Sequence, residues 1–454
     1  MKPILGSVAL LGLLGATPAL AQSDPGRDAF VRWARQAATP VKSLALDAPV
    51  ADLAPLRAIV GNATLVALGE GVHAGAEPLE FRNRVFRYLV ENLGFTAIAI
   101  ESGLTEGRTV HDYVRTGQGD LARVLDEGLT WTFDNLPQNA DLIRWIRDYN
   151  ADPKHTRKLN FYGFDVPGSP GNPFANRKMR TALDDALVYL ARVDAEAARH
   201  YHQRLDSLLP FLHLDPRSMD TVQYAKLGPT ERDRLTAAIG DLIATVERRE
   251  ARYLAASNRT DYQWAYRNLL GARAVDLWLR QMPLGWDPSK GMSFFGESTA
   301  IRDRMQADNV GWIVDQEGPG GKVLIFASRY HISAAPVKTT FSGPTGNAVA
   351  GTYLRPRFGN RLVTFGNLIG KGTFGCTGFE GPVDPNAPTS IDAIAGEVGP
   401  PLYLLDLRRA PPAVQRWLDR EHEMGGGPGK FSLQLKQAFD VYFYEATVRP
   451  ACPK

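Results

Sequence analysis

The apolar positions of this chain follow two spacings, and the alternation between them predicts its elements. Continuous runs of aliphatic and β-branched residues, TLVAL at 64–68, FTAIAI at 95–100, LNFYGF at 159–164 and VLIF at 323–326, have the length and content of buried strands. Between the first two, Phe81, Val85, Tyr88 and Leu89 recur at helical spacing, with Pro78 in the first turn and Gly94 as the stop. Residues 64–101 therefore read as one βαβ unit. Its first strand runs into the glycine-punctuated loop GEGVHAGA, which carries Glu70 and His73, and its second strand ends on Glu101. The run at 159–164 delivers Asp165, and 323–326 leads to a loop with Ser328, Arg329, Tyr330 and His331. Ligands bind parallel sheets in the crevice beyond the carboxyl ends of the strands, so these groups are expected together, at neighbouring strand ends.

From 174 to about 290 the strand signal stops and long helical patterns rich in Ala, Leu, Arg and Asp take over. This predicts a helical insertion lying over the carboxyl edge of the sheet. The βα pattern resumes with a helix in which Ile301, Met305, Val310 and Trp312 are apolar, while Arg302, Asp303 and Asn309 are polar on a helix that must abut the core. NRLVTFGNLIGKGTFG, PLYLLDLRR and FDVYFYEATV supply the closing strands. The expected fold is α/β, a mostly parallel central sheet flanked by helices, spanning 22–454 as one domain with its insertion. Trp131 and Phe133, in an aromatic loop ahead of a further helix, suit core packing or a pocket wall.

Length and composition narrow the picture. At 454 residues and 44% hydrophobic content the chain can bury a large core. Its 52 basic and 49 acidic residues leave a formal charge of +3, which creates no field for nucleic acid or anionic lipid. MKPILGSVALLGLLGATPALA, residues 1–21, has the basic start, short apolar run and small-residue end of a secretory signal with cleavage after Ala21, so a periplasmic or secreted protein is expected. Its apolar run is too short for a comfortable span, and no later segment is long and apolar enough for stable membrane insertion. Two cysteines in an exported chain, Cys376 and Cys452, predict one disulfide tying the C-terminal tail to a glycine-rich turn.

His73 and His331 are the histidines that fall at strand-end loops; His111, His155, His200, His202, His213 and His422 read as packing or surface residues. An imidazole held by a carboxylate is a water-activating base, because its pKa lies near neutrality and the acid orients the ring and stabilises the imidazolium. Glu70 or Glu101 can play that part for His73. Arg82 opposes the dipole of the helix it begins, and its spacing to Val85, Phe86 and Leu89 turns it partly inward, where it would be stabilised by the acids or neutralise an oxyanion; the alternative is a surface arginine paired with Glu80. The serines near strand ends lack the flanking glycines of a nucleophile elbow, and neither HExxH nor a phosphate-binding loop occurs. A metal held by Glu70, His73, Glu101, Asp165 and His331 is chemically allowed.

LGEGVHAGAEPLEFRNRVFRYLVENLGFTAIAIE closely resembles the erythromycin esterase family, in the Glu-x-x-His loop, the arginine at Arg82 and the glutamate ending the next strand. The resemblance continues through WTFDNLPQNADLIRWIRDYN, FYGFDVPG, IRDRMQADNVGWI, VLIFASRYH and GTYLRPRFGNRLVTFG. It implies ester hydrolysis, of a macrolide lactone or another small-molecule ester, without metal or other cofactor. His73 would be the base, Glu70, Glu101, Arg82 and His331 the rest of the catalytic set, with Trp131, Asp165 and Ser328 toward the substrate. One departure is clear: where the family carries a His-Asn-x-His loop, this chain has Ser328-Arg329-Tyr330-His331 and keeps only the second histidine. A serine leaves a neutral donor in place of a titratable group, which bears on macrolide cleavage more than on hydrolysis itself. Two other expectations stand beside this one: a metal-dependent hydrolase using the same cluster, and a non-catalytic periplasmic binding or envelope-polysaccharide accessory protein.

Overall fold

A computed structural model describes residues 24–452 apart from 132, 169–178, 213–221, 282–294, 340–341, 343, 377–378, 384–386 and 426–430. The signal-like segment, both ends of the expected insertion, His213 and part of the Gly425-Gly426-Gly427 loop lie outside the described residues.

The strands are β1 (Thr39–Pro40), β2 (Leu65–Glu70), β3 (Ala97–Gly103), β4 (Asn160–Asp165), β5 (Val323–Ser328), β6 (Lys338–Thr339), β7 (Leu362–Cys376), β8 (Phe379–Val383), β9 (Leu402–Asp406), β10 (Glu421–Met424), β11 (Phe431–Gln434) and β12 (Val441–Val448). A nine-stranded sheet has the order β1-β9-β12-β7-β2-β5-β3-β4, with β8 folded back on β7. From β12 to β4 every pairing is parallel, whereas β1, β9 and β8 join antiparallel. β10, β11 and β6 form a small separate sheet.

Helices cover both faces of the sheet, which explains the continuous apolar runs. Leu65, Ala67, Ala97, Ala99, Val323 and Ile325 face one core, and Val66, Leu68, Ile98, Ile100, Leu324 and Phe326 face the other. The helix Ala76–Leu93 comes after β2 and stops at Gly94, whose φ of 72° suits glycine. Phe81 on that helix stacks on Phe443 of β12 with centroids 3.6 Å apart.

One expectation needs correction. β2 and β3 are not neighbours, because β5 inserts between them and pairs with both. Periodicity identifies a strand but not its lateral place, and β5 reaches the slot only after the chain has passed through the helical segment. A second correction concerns the residues after β5, which form a short helix, Arg329–Ile332, rather than a loop.

Between β4 and β5 the described helices, from Thr181–Val193 to Arg259–Gln281, share a cluster of their own that includes Leu187, Leu190, Leu235, Ile239, Leu242 and Val275. This block reaches the carboxyl end of the sheet. Gly271 lies where a Cβ would come 3.2 Å from the Pro167 ring, just past β4, and Thr105 Oγ1 donates to Asn268 Oδ1 at 2.9 Å. Among the described residues no helix is long and apolar enough to cross a membrane.

Candidate active site

The carboxyl ends of β2, β5, β3 and β4 bring together acids, two histidines and an arginine. Glu70, the last residue of β2, is fully buried, and its Oε1 lies 2.6 Å from His73 Nδ1. That contact assigns the Nδ1 proton to the Glu70 side and leaves Nε2 with the lone pair. The His73 side chain keeps 44% of its surface open. Burial in the surrounding protein opposes charge on the ring, but the Glu70 carboxylate, with Glu101 behind it, raises the His73 pKa above the ordinary value. The ring is thus held by Glu70 on one side and open to solvent on the other. Burial pushes the Glu70 carboxyl up, against the pull of His73.

His331 is the opposite case. Only 7% of its side chain is exposed. Its Nδ1 lies 2.8 Å from Asp303 Oδ1, while its Nε2 lies 3.3 Å from Glu101 Oε1 and 3.1 Å from Arg302 Nη1. Burial alone would lower its pKa, but Asp303 and Glu101 push it up to about 10. The two acids favour the charged ring, while the Arg302 guanidinium facing Nε2 opposes it. Glu101 is spoken for on both oxygens: Oε1 takes Arg302 Nη2 at 2.6 Å and Oε2 takes the Ser328 N–H at 2.7 Å. Despite burial, His331 and Arg302 hold its pKa well below the usual carboxylate range.

Arg302 organises this half. Besides Glu101 and His331 it grips Asp165, with Nε 3.0 Å from Oδ1 and Nη2 2.5 Å from Oδ2. Trp131 lies against the guanidinium, whose carbon is 4.4 Å from the ring centroid, a cation–π contact. Asp165 Oδ1 also accepts the Val166 N–H at 2.7 Å, so it both caps its own loop and binds the arginine.

Backbone strain marks the same place. Among the described residues, Ala74 (φ 55°) and Trp131 (φ 59°) are the non-glycine positions in the left-handed region. One comes directly after His73 and the other covers Arg302; such conformations persist where the surroundings over-determine them, as at functional sites.

Arg82 is fully buried. Its Nε and Nη2 donate to Asn83 Oδ1 at 3.0 and 2.8 Å, and its Nη1 has no partner among the described residues. The guanidinium lies 4.8 Å from the Phe326 ring, and burial brings its pKa down to about 9. Glu80, the alternative surface partner for it, pairs instead with Arg449. Ser328 Oγ accepts the Tyr330 N–H at 3.3 Å and so caps the helix that carries His331.

Of the residues singled out in the sequence, Glu70 and His73 form one pair, and Glu101, Asp165, His331 and Trp131 meet around Arg302. Arg82 lies beneath, and the Ser328 side chain turns to its own backbone. Sequence reasoning marks Arg302 and Asp303 only as core-facing polar residues and misses their place in the site. A signal is present: Arg302, Gln306 and Asn309 form a polar stripe at helical spacing, and Gln306 and Asn309 are fully buried.

Ligand atoms of Glu70, His73 and Glu101 lie within 4.8 Å of one another, a spacing that could hold a metal ion. The donor set argues against it, because both Glu101 oxygens already bind cationic or N–H donors and the His331 imidazolium and Arg302 face the same carboxylate.

Comparison with known proteins agrees with the fold. A Bacillus cereus protein of known crystal structure superposes with a TM-score of 0.76 at 24% identity, over 93% of this chain and 98% of that one. The solved structure of the erythromycin esterase EreC, a histidine-to-asparagine mutant in its open conformation, superposes with a TM-score of 0.70 at 18% identity, over 91% and 98% of the two chains. In sequence, erythromycin esterase type II of Escherichia coli is 26% identical over 327 residues, 68% of this chain and 70% of that protein. The profile of the erythromycin esterase family matches residues 90–447, which include Glu101, Arg302 and His331. The chain belongs to the erythromycin esterase family, whose name places its members among hydrolases acting on esters.

Proposed function

We propose that this protein hydrolyses a small-molecule ester by attack of a water that His73 deprotonates. The observation that carries the reading is the 2.6 Å contact between His73 Nδ1 and buried Glu70 on a ring that is 44% open. Nε2 takes a proton from water as the oxygen attacks the acyl carbon, and Glu70 stabilises the imidazolium that forms. Collapse of the tetrahedral intermediate breaks the acyl–oxygen bond, and the Nε2 proton passes to the departing alkoxide. One water is consumed, giving an acid and an alcohol. Negative charge on the carbonyl oxygen is offset by the cationic wall of Arg302 and His331, and by Arg82 from beneath. Trp131 and the helical block provide an apolar rest for the substrate, and the first 21 residues direct the reaction outside the cytoplasm.

Aryl esters, simple lactones and macrolides incubated with purified protein test this, with mass spectrometry reading the gain of one water. Turnover that survives chelation and is lost in His73→Ala supports it. Loss of turnover on chelation, restored by a divalent ion, would favour the metal reading at Glu70, His73 and Glu101. A ligand-induced thermal shift without any turnover would favour a binding protein.

A further inference from the structure

The backbone directly after His73 is held from the far end of the chain. The strained Ala74 offers its carbonyl to two donors, Ala451 N–H at 2.9 Å and Gly375 N–H at 3.3 Å. Those donors are the chain neighbours of Cys452 and Cys376, which are joined in a disulfide with Cα atoms 5.3 Å apart. Gly75 forms an antiparallel bridge with Pro450, and Ala76 N–H donates to Arg449 O at 2.8 Å. Arg449 then binds Glu77 through its own N–H at 2.7 Å and its Nε at 2.6 Å. A Cβ on Gly75 would come 2.9 Å from Val448 Cγ1, so a glycine is needed there for β12 to lie this close to the loop.

Every residue from Ala74 to Glu77 is thus fastened to the segment 449–451, whose end the disulfide anchors to β7. The sheet alone fixes Glu70, and the tail fixes residues 74–77 beyond His73. We propose that the Cys376–Cys452 disulfide is a positioning device for the catalytic loop, holding the His73 ring in register with Glu70 and making turnover depend on the thiol state of the protein. The inference rests on His73 being the base. Cys376 is buried and Cys452 half-buried, so Cys452 is the more exposed of the two. A dithiol reductant delivers two electrons and two protons to the bond, leaving two cysteine thiols and itself as a cyclic disulfide.

Wild type, dithiothreitol-reduced wild type and Cys376→Ser/Cys452→Ser are compared below their unfolding temperatures, with near-UV circular dichroism confirming the fold. The readouts are kcat, KM and the titration of the His73 Cε1 proton by NMR. Loss of the clamp lowers kcat about tenfold, since small displacements of a reacting group are costly. KM stays within about twofold, because the groups that hold substrate are not moved. The ring midpoint moves down toward that of an ordinary histidine as the Glu70 contact loosens. A folded protein without the bond whose kcat and ring titration match wild type overturns the proposal. Should the double variant not fold, dithiothreitol-reduced wild type carries the test, and unchanged kcat and ring titration there overturn the proposal equally; Arg449→Ala, which removes the Nε bond to Glu77 and keeps the backbone one, is expected to shift both in the same sense by a smaller amount. The ring titration needs no substrate. An oxidised wild type inert to every ester would therefore refute the esterase reading, while its ring titration would still test the clamp.

Discussion

The two histidines at the mouth of the sheet have the same side chain and opposite circumstances. His73 has one carboxylate partner and an open face, whereas His331 has Asp303, Glu101 and Arg302 around it and almost no exposed surface. A ring that trades protons must alternate between charge states at little cost, which requires solvent on one side and a single counter-charge on the other. His331 meets neither condition. Two acids favour its charged form, so on the proposed reading it supplies a field rather than trading protons. Both rings sit beside acids at strand ends, and what separates their roles is how many partners each has already satisfied.

Substituting each ring in turn is the severest test of that contrast. His73→Asn is expected to lower kcat about 10³-fold, the range for losing a general base. Its stability should change by no more than about 1 kcal/mol, because the ring is partly exposed and Glu70, already pushed up, can take a proton. His331→Asn should do the reverse. Removing one member of a buried charged cluster costs about 3–5 kcal/mol, read as a drop in the urea midpoint, with kcat falling about 10²-fold as the cationic wall weakens. Equal effects on kcat and stability from the two changes would erase the distinction.

The pH dependence sharpens it further. Asp303 and Glu101 push the His331 pKa up to about 10 in the folded protein, from about 6.5 in the unfolded chain. A raised folded pKa stabilises fully below the unfolded value and loses that contribution as pH climbs through the folded one. The stability gap between wild type and His331→Asn should therefore be widest below about pH 6.5 and narrow toward pH 10. For His73 the readout is catalytic. The base must be neutral, so kcat/KM rises with pH through a midpoint above that of a free histidine, because Glu70 holds the proton on the ring. Glu70→Gln removes that carboxylate, which should move the midpoint to lower pH and cut the plateau about tenfold. A midpoint that stays put would mean that Glu70 is not the group that sets the ring's pKa.

Much of this is legible in the chain because its cues are local. The strands carrying Glu70, Glu101 and Asp165 are buried on both faces and so read as unbroken apolar runs, and the glycines around His73 mark a strand-end loop. The order of strands is not legible. Nothing in 64–101 reveals that β5, entering after the helical block, will separate β2 from β3. Arg302 escapes sequence reasoning for a related reason: its partners lie 29, 137 and 201 residues away, at His331, Asp165 and Glu101, so no window of sequence contains the cluster. Asp165 could be read as a cap or as a site group; it caps its own loop at Val166 and also pairs with Arg302.

The smallest expected effect falls on the residue that departs from the family pattern. Ser328 stands between the two halves, since its N–H binds Glu101 while its hydroxyl caps the turn leading into His331. The backbone contact survives any substitution but proline, and the hydroxyl is occupied locally at 3.3 Å. Ser328→Ala should therefore cost about 0.5–1 kcal/mol through the lost cap. Its kcat should stay within about threefold, since no interaction made only in the transition state is removed. Ser328→His adds a titratable ring beside Glu101. If that change raises turnover of macrolides but not of simple aryl esters, the serine sets substrate range rather than chemistry, and the division between an open, proton-moving histidine and a locked, charge-holding one survives in both variants.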